Sequence, residues 1–159
     1  MKRLWAPWRI EYILGEKKGK CIFCEKPKQE KDEDNYILFR GKRCLVMLNA
    51  YPYNNGHLMI APYRHIDSVE SLEDDEAKEI MEILSRMITL LKKVLRPEGF
   101  NVGMNLGSVA GAGIVDHLHL HVVPRWKGDT NFMPLISNTK IISESLRKTY
   151  QKLKENMKF

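Results

Sequence analysis

Short apolar runs and one long amphipathic stretch organise this 159-residue chain. Residues 36–39 and 43–48 are rich in Ile, Leu, Val and Phe, which predicts two strands joined by a tight turn at Gly41-Lys42. Residues 49–55 hold a proline and run into Asn54-Asn55-Gly56, a loop signal, and 57–61 read as the next strand, closed by Pro62. Between 74 and 96 the period changes. Ile80, Leu84, Met87, Leu91 and Val94 recur at helical spacing, and Ile83, Ile88 and Leu95 widen the stripe. Asp74, Asp75 and Glu76 sit at the positive end of this helix and Lys92, Lys93 and Arg96 at its negative end, with Pro97 and Gly99 stopping it. Residues 101–106 and 118–123 read as strands flanking a Gly-rich connection, and a second helix runs from 143 or 144 to about 156 with Ser143 as its cap. The charged stretch 25–35 reads as a mobile surface loop. The pattern predicts an α+β fold, a largely antiparallel sheet of about five strands packed with one long helix and a C-terminal helix.

Within the last predicted strand the sequence reads His117-Leu118-His119-Leu120-His121-Val122-Val123-Pro124. Successive side chains of a strand point to opposite faces, so His117, His119 and His121 share one face and Leu118, Leu120 and Val122 the other. Each step of two residues advances about 6.8 Å, which sets the outer imidazoles roughly 13 Å apart. Such a row lines a cleft better than it serves one small ion, while the apolar face anchors it in a core. Just upstream, Gly107, Gly111 and Gly113 punctuate a small-residue loop that lets main-chain N–H groups approach an anion closely. It lacks the Gly-Lys-Ser/Thr ending of a P-loop, and beside three aligned histidines it reads as an oxyanion cradle.

Composition narrows the class. The chain is 43% hydrophobic and 29% charged, as an ordinary globular domain is, and its length fits one domain. Residues 1–8 have a charged head with no apolar run behind it, unlike a secretory signal, and no stretch approaches 18 apolar residues, so a cytoplasmic protein without a membrane span is expected. The net charge of +6 is spread along the chain, with acids interleaved at 30–34 and 70–79. That distribution favours anionic ligands such as polyphosphates without implying nucleic-acid binding.

Three cysteines, an odd number, argue against a disulfide framework. Cys44 sits in an apolar run and reads as a small buried hydrophobe. Cys21 and Cys24 have the spacing that lets two thiolates bind one tetrahedral metal; thioredoxin-like redox chemistry is the alternative, but no matching strand and helix surround them.

The run His117 to Val123 resembles the signature of the histidine triad (HIT) family of nucleotide hydrolases and transferases. Gly56-His57-Leu58-Met59-Ile60-Ala61-Pro62 with His65 extends the likeness upstream. Leu4 to Arg9, Trp126-Lys127-Gly128-Asp129 and Asn131 to Pro134 are similar to the branch that contains bacterial diadenosine tetraphosphate phosphorylases. The resemblance implies a single HIT domain, with residues 1–35 an N-terminal extension carrying the Cys-x2-Cys arm, 36–134 the catalytic core and 135–159 a C-terminal helical segment.

By this resemblance His119 is a nucleophile that attacks the α-phosphorus of a dinucleoside polyphosphate and is transiently nucleotidylated. Its other ring nitrogen is expected to be held by the main-chain carbonyl of His121, whose side chain, with that of His57, contacts phosphate. Asn105 matches a family asparagine that touches ribose or phosphate, and Asn49 stands where the family places a ribose ligand, although such an Asn is commonly a turn former. Leu45 and Met47 either wall the base pocket or pack the core. The likeness also implies that His65 and His117 complete a Cys2His2 zinc shell with Cys21 and Cys24, closed and therefore structural. Many HIT proteins carry a Gln and a Ser or Thr just before the motif; Gly113 and Ile114 stand there in this chain, so assistance must come from elsewhere.

The implied reaction takes diadenosine tetraphosphate and inorganic phosphate to ADP and ATP. Alternatives within the family are an adenosine phosphoramidase and an asymmetric diadenosine polyphosphate hydrolase. A binder without turnover has no use for an unprotonated nucleophile, and a nucleic-acid-binding zinc protein does not match the ligand spacing. Family members commonly pair as homodimers through the long helix and a sheet edge, where Met81, Ile88 and Leu95 would be available. No role is assigned to residues 5–9.

Overall fold

The computed structural model describes residues 21–130 and 140–159; the stretches 4–9 and 131–134 that carry part of the resemblance lie outside them. Five strands form one antiparallel sheet: β1 (Ile37–Arg40), β2 (Cys44–Leu48), β3 (Leu58–Pro62), β4 (Gly99–Met104) and β5 (Leu120–Arg125). Their spatial order is β1-β2-β3-β5-β4, so β5 lies between β3 and β4. The described helices are α1 (Ile22–Glu25), α2 (Asp74–Leu95) and α3 (Leu146–Asn156). The α+β architecture matches the reading of the sequence. Among the described residues no helix is long and apolar enough to cross a membrane.

Helices α2 and α3 cover one face of the sheet. Ile80, Ile83, Leu84, Met87, Leu90 and Leu91 of α2 pack on Leu38, Val46, Leu48, Leu58, Ile60 and Val122, joined by Tyr150 and Leu153 of α3. Each such side chain contributes about 1.5–3 kcal/mol relative to exposure, so this face fixes the sheet's register. Glu76 accepts from the Glu73 N–H at 3.0 Å at the start of α2, and the Trp126 indole N–H donates to the carbonyls of Leu95 and Arg96 at its end. Gly56 has a φ of 74°, and a Cβ there would lie 2.5 Å from a Leu95 methyl, so glycine is required both for the turn and for the close approach of α2.

Three sequence expectations change. The stretch 25–35 is no mobile loop. It holds a 3-10 turn (Lys26–Gln29), and Arg40 of β1 ties it down through Asp32 at 2.7 Å and the Pro27 carbonyl at 2.9 Å. The cap of α3 is Ser145, which accepts from Lys148 N–H, rather than Ser143. The triad strand starts two residues late. β5 begins at Leu120, while Leu118 N–H donates instead to the Ile66 carbonyl at 2.6 Å, which pulls His117 to His119 out of the ladder. Pro124 is accommodated near the strand end because pairing with β3 stops at Val122.

Candidate active site and metal-ligand group

The sheet face opposite the helices carries the chemistry. Register places Met59 opposite His121 and Gly103 opposite His121 on the other side, so the β3, β5 and β4 residues of this face line up with the triad. Towards β1 the face is apolar. Phe23 of α1 seals Ile37, Leu45, Met47, Met59 and Ala61 into a second cluster, so Leu45 and Met47 are packing residues, at most 1% exposed.

Backbone groups fix the tautomers of His117, His119 and His57, and through His57 that of His121. A carbonyl can only accept and an amide N–H can only donate, so each ring nitrogen facing one is assigned. His119 Nδ1 lies 2.8 Å from the His117 carbonyl; it carries the proton, and Nε2 carries the lone pair. The carbonyl expected from the sequence was that of His121. The pairing reverses because residues 117–119 leave the strand, which lets a ring bond back two residues. The Tyr53 N–H donates to His57 Nδ1 at 3.1 Å, so His57 Nε2 is the protonated atom and donates to His121 Nδ1 at 2.8 Å. His121 Nε2–H is then a donor, set beside His119 with ring centroids 4.7 Å apart. That separation is shorter than the regular strand repeat.

His57 therefore does not stand where direct phosphate contact was expected. It is fully buried with both ring nitrogens engaged, behind His121. Burial, with the neighbouring His121 and His119, pushes its pKa down to about 3; burial and His119 push His121 down to about 4. Burial also lowers His119, against the opposing pull of the His117 carbonyl. All three rings are neutral near pH 7, as a nitrogen nucleophile and its donors require.

The same logic orients His117. Its Nε2–H donates to the Pro62 carbonyl at 2.9 Å, which leaves the Nδ1 lone pair facing Cys21 Sγ at 3.1 Å and His65 Nδ1 at 3.2 Å. Cys24 Sγ stands 3.4 Å from His65 Nδ1 and 3.6 Å from His117 Nδ1, and the four ligand atoms all lie within 4.8 Å of one another. Edges of a tetrahedral zinc shell with thiolate and imidazole ligands are about 3.3–3.8 Å, so the four predicted residues come together with the right chemistry and spacing. The carbonyl holding His117 is the outer partner that such ligands ordinarily have.

Two aromatic residues were missed from sequence. Phe23, 1% exposed, stacks 5.1 Å from the His117 ring and 5.0 Å from His119, so one side chain touches a metal-group histidine and the triad centre. Its position between Cys21 and Cys24 was the available signal. Tyr53 covers His57 at 4.6 Å and His121 at 5.6 Å, and its only sequence mark was a place in the loop before Gly56.

The remaining candidates are less engaged. Asn49 Oδ1 accepts from Tyr51 N–H at 2.8 Å, the turn-forming alternative. Asn105 spans the Gly-rich loop to the Gly111 carbonyl at 3.4 Å. Gly107 and Gly111 adopt φ values of 82° and 87°, which explains glycine at both, whereas Gly113 has open space around it. Ile114 packs against the Phe23 cluster.

A family model described as the HIT domain matches residues 30–128. The AP-4-A phosphorylase of Mycobacterium tuberculosis is 43% identical over 158 residues, covering 94% of this chain and 80% of that protein. Among solved structures, a zinc-bound histidine triad family protein from Mycobacterium smegmatis aligns with a TM-score of 0.69 at 21% identity, covering 86% of this chain and 92% of that one. A hypothetical histidine triad nucleotide-binding protein from Sulfolobus tokodaii aligns at 0.67 with 23% identity, covering 86% and 88%. With its triad, its fold and more than half of its length matched, the chain belongs to the HIT family.

Proposed function

We propose that this HIT-family enzyme is a nucleotidyl transferase acting on dinucleoside polyphosphates, converting diadenosine tetraphosphate and inorganic phosphate to ADP and ATP. The observation that carries this reading is the His119 Nδ1 bond to the His117 carbonyl, which presents Nε2 as an unprotonated nucleophile. The 43% identity to a protein named as an AP-4-A phosphorylase supports the choice of substrate.

Nε2 of His119 attacks the α-phosphorus, an N–P bond forms, and the P–O bond to the departing ATP breaks with its electron pair on oxygen. Nδ1 keeps its proton, donated to the His117 carbonyl, so the ring gives up no proton during attack. His121 Nε2–H donates to a phosphoryl oxygen, and the Tyr53, His57 and His121 sequence of bonds keeps that hydrogen in place. Phosphate oxygen then attacks the same phosphorus from the side the leaving group vacated, the N–P bond breaks, and ADP leaves with His119 restored. Gly107, Gly111 and Gly113 supply main-chain donors to the phosphoryl oxygens; Asn105 holds that loop, and Asn49 meets the ribose.

Cys21, Cys24, His65 and His117 would hold zinc in a closed Cys2His2 shell, a structural role that pins α1 and Phe23 to the triad. A homodimer through the β4 edge, where Val102 is 43% exposed, and Met81 of α2, 62% exposed, belongs to the same reading. Leu95 is withdrawn from that surface because it packs on Gly56. Location in the cytoplasm is part of it as well.

Purified protein incubated with diadenosine tetraphosphate, with and without inorganic phosphate, tests the reaction. ADP with ATP, formed only when phosphate is present, supports it. AMP with ATP shows a hydrolase instead, and release of AMP from an adenosine phosphoramidate with the tetraphosphate left intact shows a phosphoramidase.

A further inference from the structure

The triad face does not end at His121. On β5, Val123 and Arg125 follow His121 onto the same face, and Asn101 of β4 stands opposite Val123. These three, with Tyr53 and Lys140, line a cavity of about 340 Å³. Tyr53 joins it to the triad, since its ring also packs on His57 and His121. The far wall at Arg125 lies roughly 13 Å along the strand from His121.

The charge of this cavity is one-sided. Arg125 and Lys140 are cations, and among the described residues that line it none is Asp or Glu. Asp129 holds both cations in place and offsets one of the two charges: its carboxylate takes Arg125 Nε at 2.6 Å and Nη2 at 3.2 Å, accepts the Asn54 amide at 2.8 Å and lies 4.0 Å from Lys140 Nζ, its main-chain carbonyl accepts from Lys140, and its side chain is only 4% exposed. Arg125 spends one further N–H on Asn101 at 2.7 Å. Two of its five N–H donors and two of the three on Lys140 are left over by these bonds.

Sheet order gives the cavity its meaning. The apolar Phe23 cluster lies over β1, β2 and β3, the cationic cavity over β5 and β4, and His121 stands between them. The Phe23 cluster is closed by packing, whereas the cationic cavity is open to a phosphate chain running past the triad. In-line displacement by His119 expels the leaving group on the side away from the attacking ring.

We propose that this cavity is the subsite for the phosphate chain of the leaving nucleotide, the part of a dinucleoside polyphosphate beyond the bond that breaks. The inference rests on His119 being the nucleophile of the proposed reaction. It makes the protein selective for long chains, because a leaving AMP has no distal phosphate to place against Arg125 and Lys140.

Two measurements on wild type, Lys140→Met and Asn101→Ala test this. In steady-state kinetics, Lys140→Met raises the KM for diadenosine tetraphosphate about tenfold, the loss of one charge-assisted contact, against a far smaller change for diadenosine diphosphate. Asn101→Ala moves in the same direction by a smaller factor. An equal rise for both substrates, or a rise confined to the KM for inorganic phosphate, overturns the proposal; the latter makes the cavity an acceptor site. In calorimetry, inorganic tripolyphosphate binds wild type and binds Lys140→Met about tenfold more weakly. Equal binding by the two proteins overturns the cavity assignment even if no dinucleotide is cleaved, whereas failure of cleavage with unequal binding overturns the reaction and leaves the polyphosphate site standing.

Discussion

His57 Nε2 donates to His121 Nδ1 at 2.8 Å, and this one bond sets which nitrogen of His121 faces the reacting centre. His57 is itself set by a backbone group, the Tyr53 N–H, which every substitution at 53 except proline leaves in place. A buried residue that never touches substrate thus determines the hydrogen-bonding character of one that does.

Replacing His57 by Asn or Gln removes the Nε2 donor at its present position. The expected outcome is a fall in kcat of about 10- to 100-fold with KM changed much less, the range seen when a supporting hydrogen bond to a functional ligand is lost. A rise in KM at constant kcat would place His57 in substrate binding instead.

Stability depends on pH through the same pair. His57 and His121 titrate at about 3 and 4 in the folded protein against about 6.5 when unfolded, so between these values the unfolded state binds more protons. Stability therefore holds above about pH 6.5 and falls as pH drops towards 4. Thermal melts across this window show a declining midpoint in wild type, and His57→Asn flattens the decline.

Asp129 ties the turn after β5 to the loop before β3 through Arg125, Asn54 and the Trp126 N–H. Its carboxyl is held down to about 2, first by Arg125, so its contribution is present above about pH 4 and is lost as pH falls through 2. Asp129→Asn is expected to cost about 1–3 kcal/mol in denaturant unfolding at neutral pH.

Zinc analysis of the purified protein should give one equivalent per chain, and Cys24→Ser should remove it. Loss of the metal frees α1, so the melting midpoint falls and Phe23 leaves the His119 ring. Fluorine labelling of phenylalanine would follow that displacement without reference to turnover.

Much of the fold was legible. The helical stripe from Ile80 to Leu91 and the apolar runs at 36–39, 43–48 and 57–61, each within a residue of its strand, announce themselves because burial enforces their period. The metal group is legible too, Cys21 and Cys24 in their spacing and His65 and His117 through the family resemblance. What failed has a common cause. The His117 carbonyl, the Tyr53 N–H and the Ile66 carbonyl are backbone partners, and a side-chain pattern carries no record of where main-chain groups point. The arm at 25–35 looked mobile for lack of apolar residues, yet Arg40 holds it by an ion pair whose partner in β1 no local composition reveals.

Rapid quenching of the enzyme with diadenosine tetraphosphate in the absence of phosphate, followed by peptide mass analysis under alkaline conditions that preserve N–P bonds, shows whether His119 is the nucleophile. One AMP group is expected on the peptide containing 117–121, located on His119, abolished in His119→Ala and discharged to ADP when phosphate is added. An adduct on another residue, or turnover that survives in His119→Ala, would contradict it.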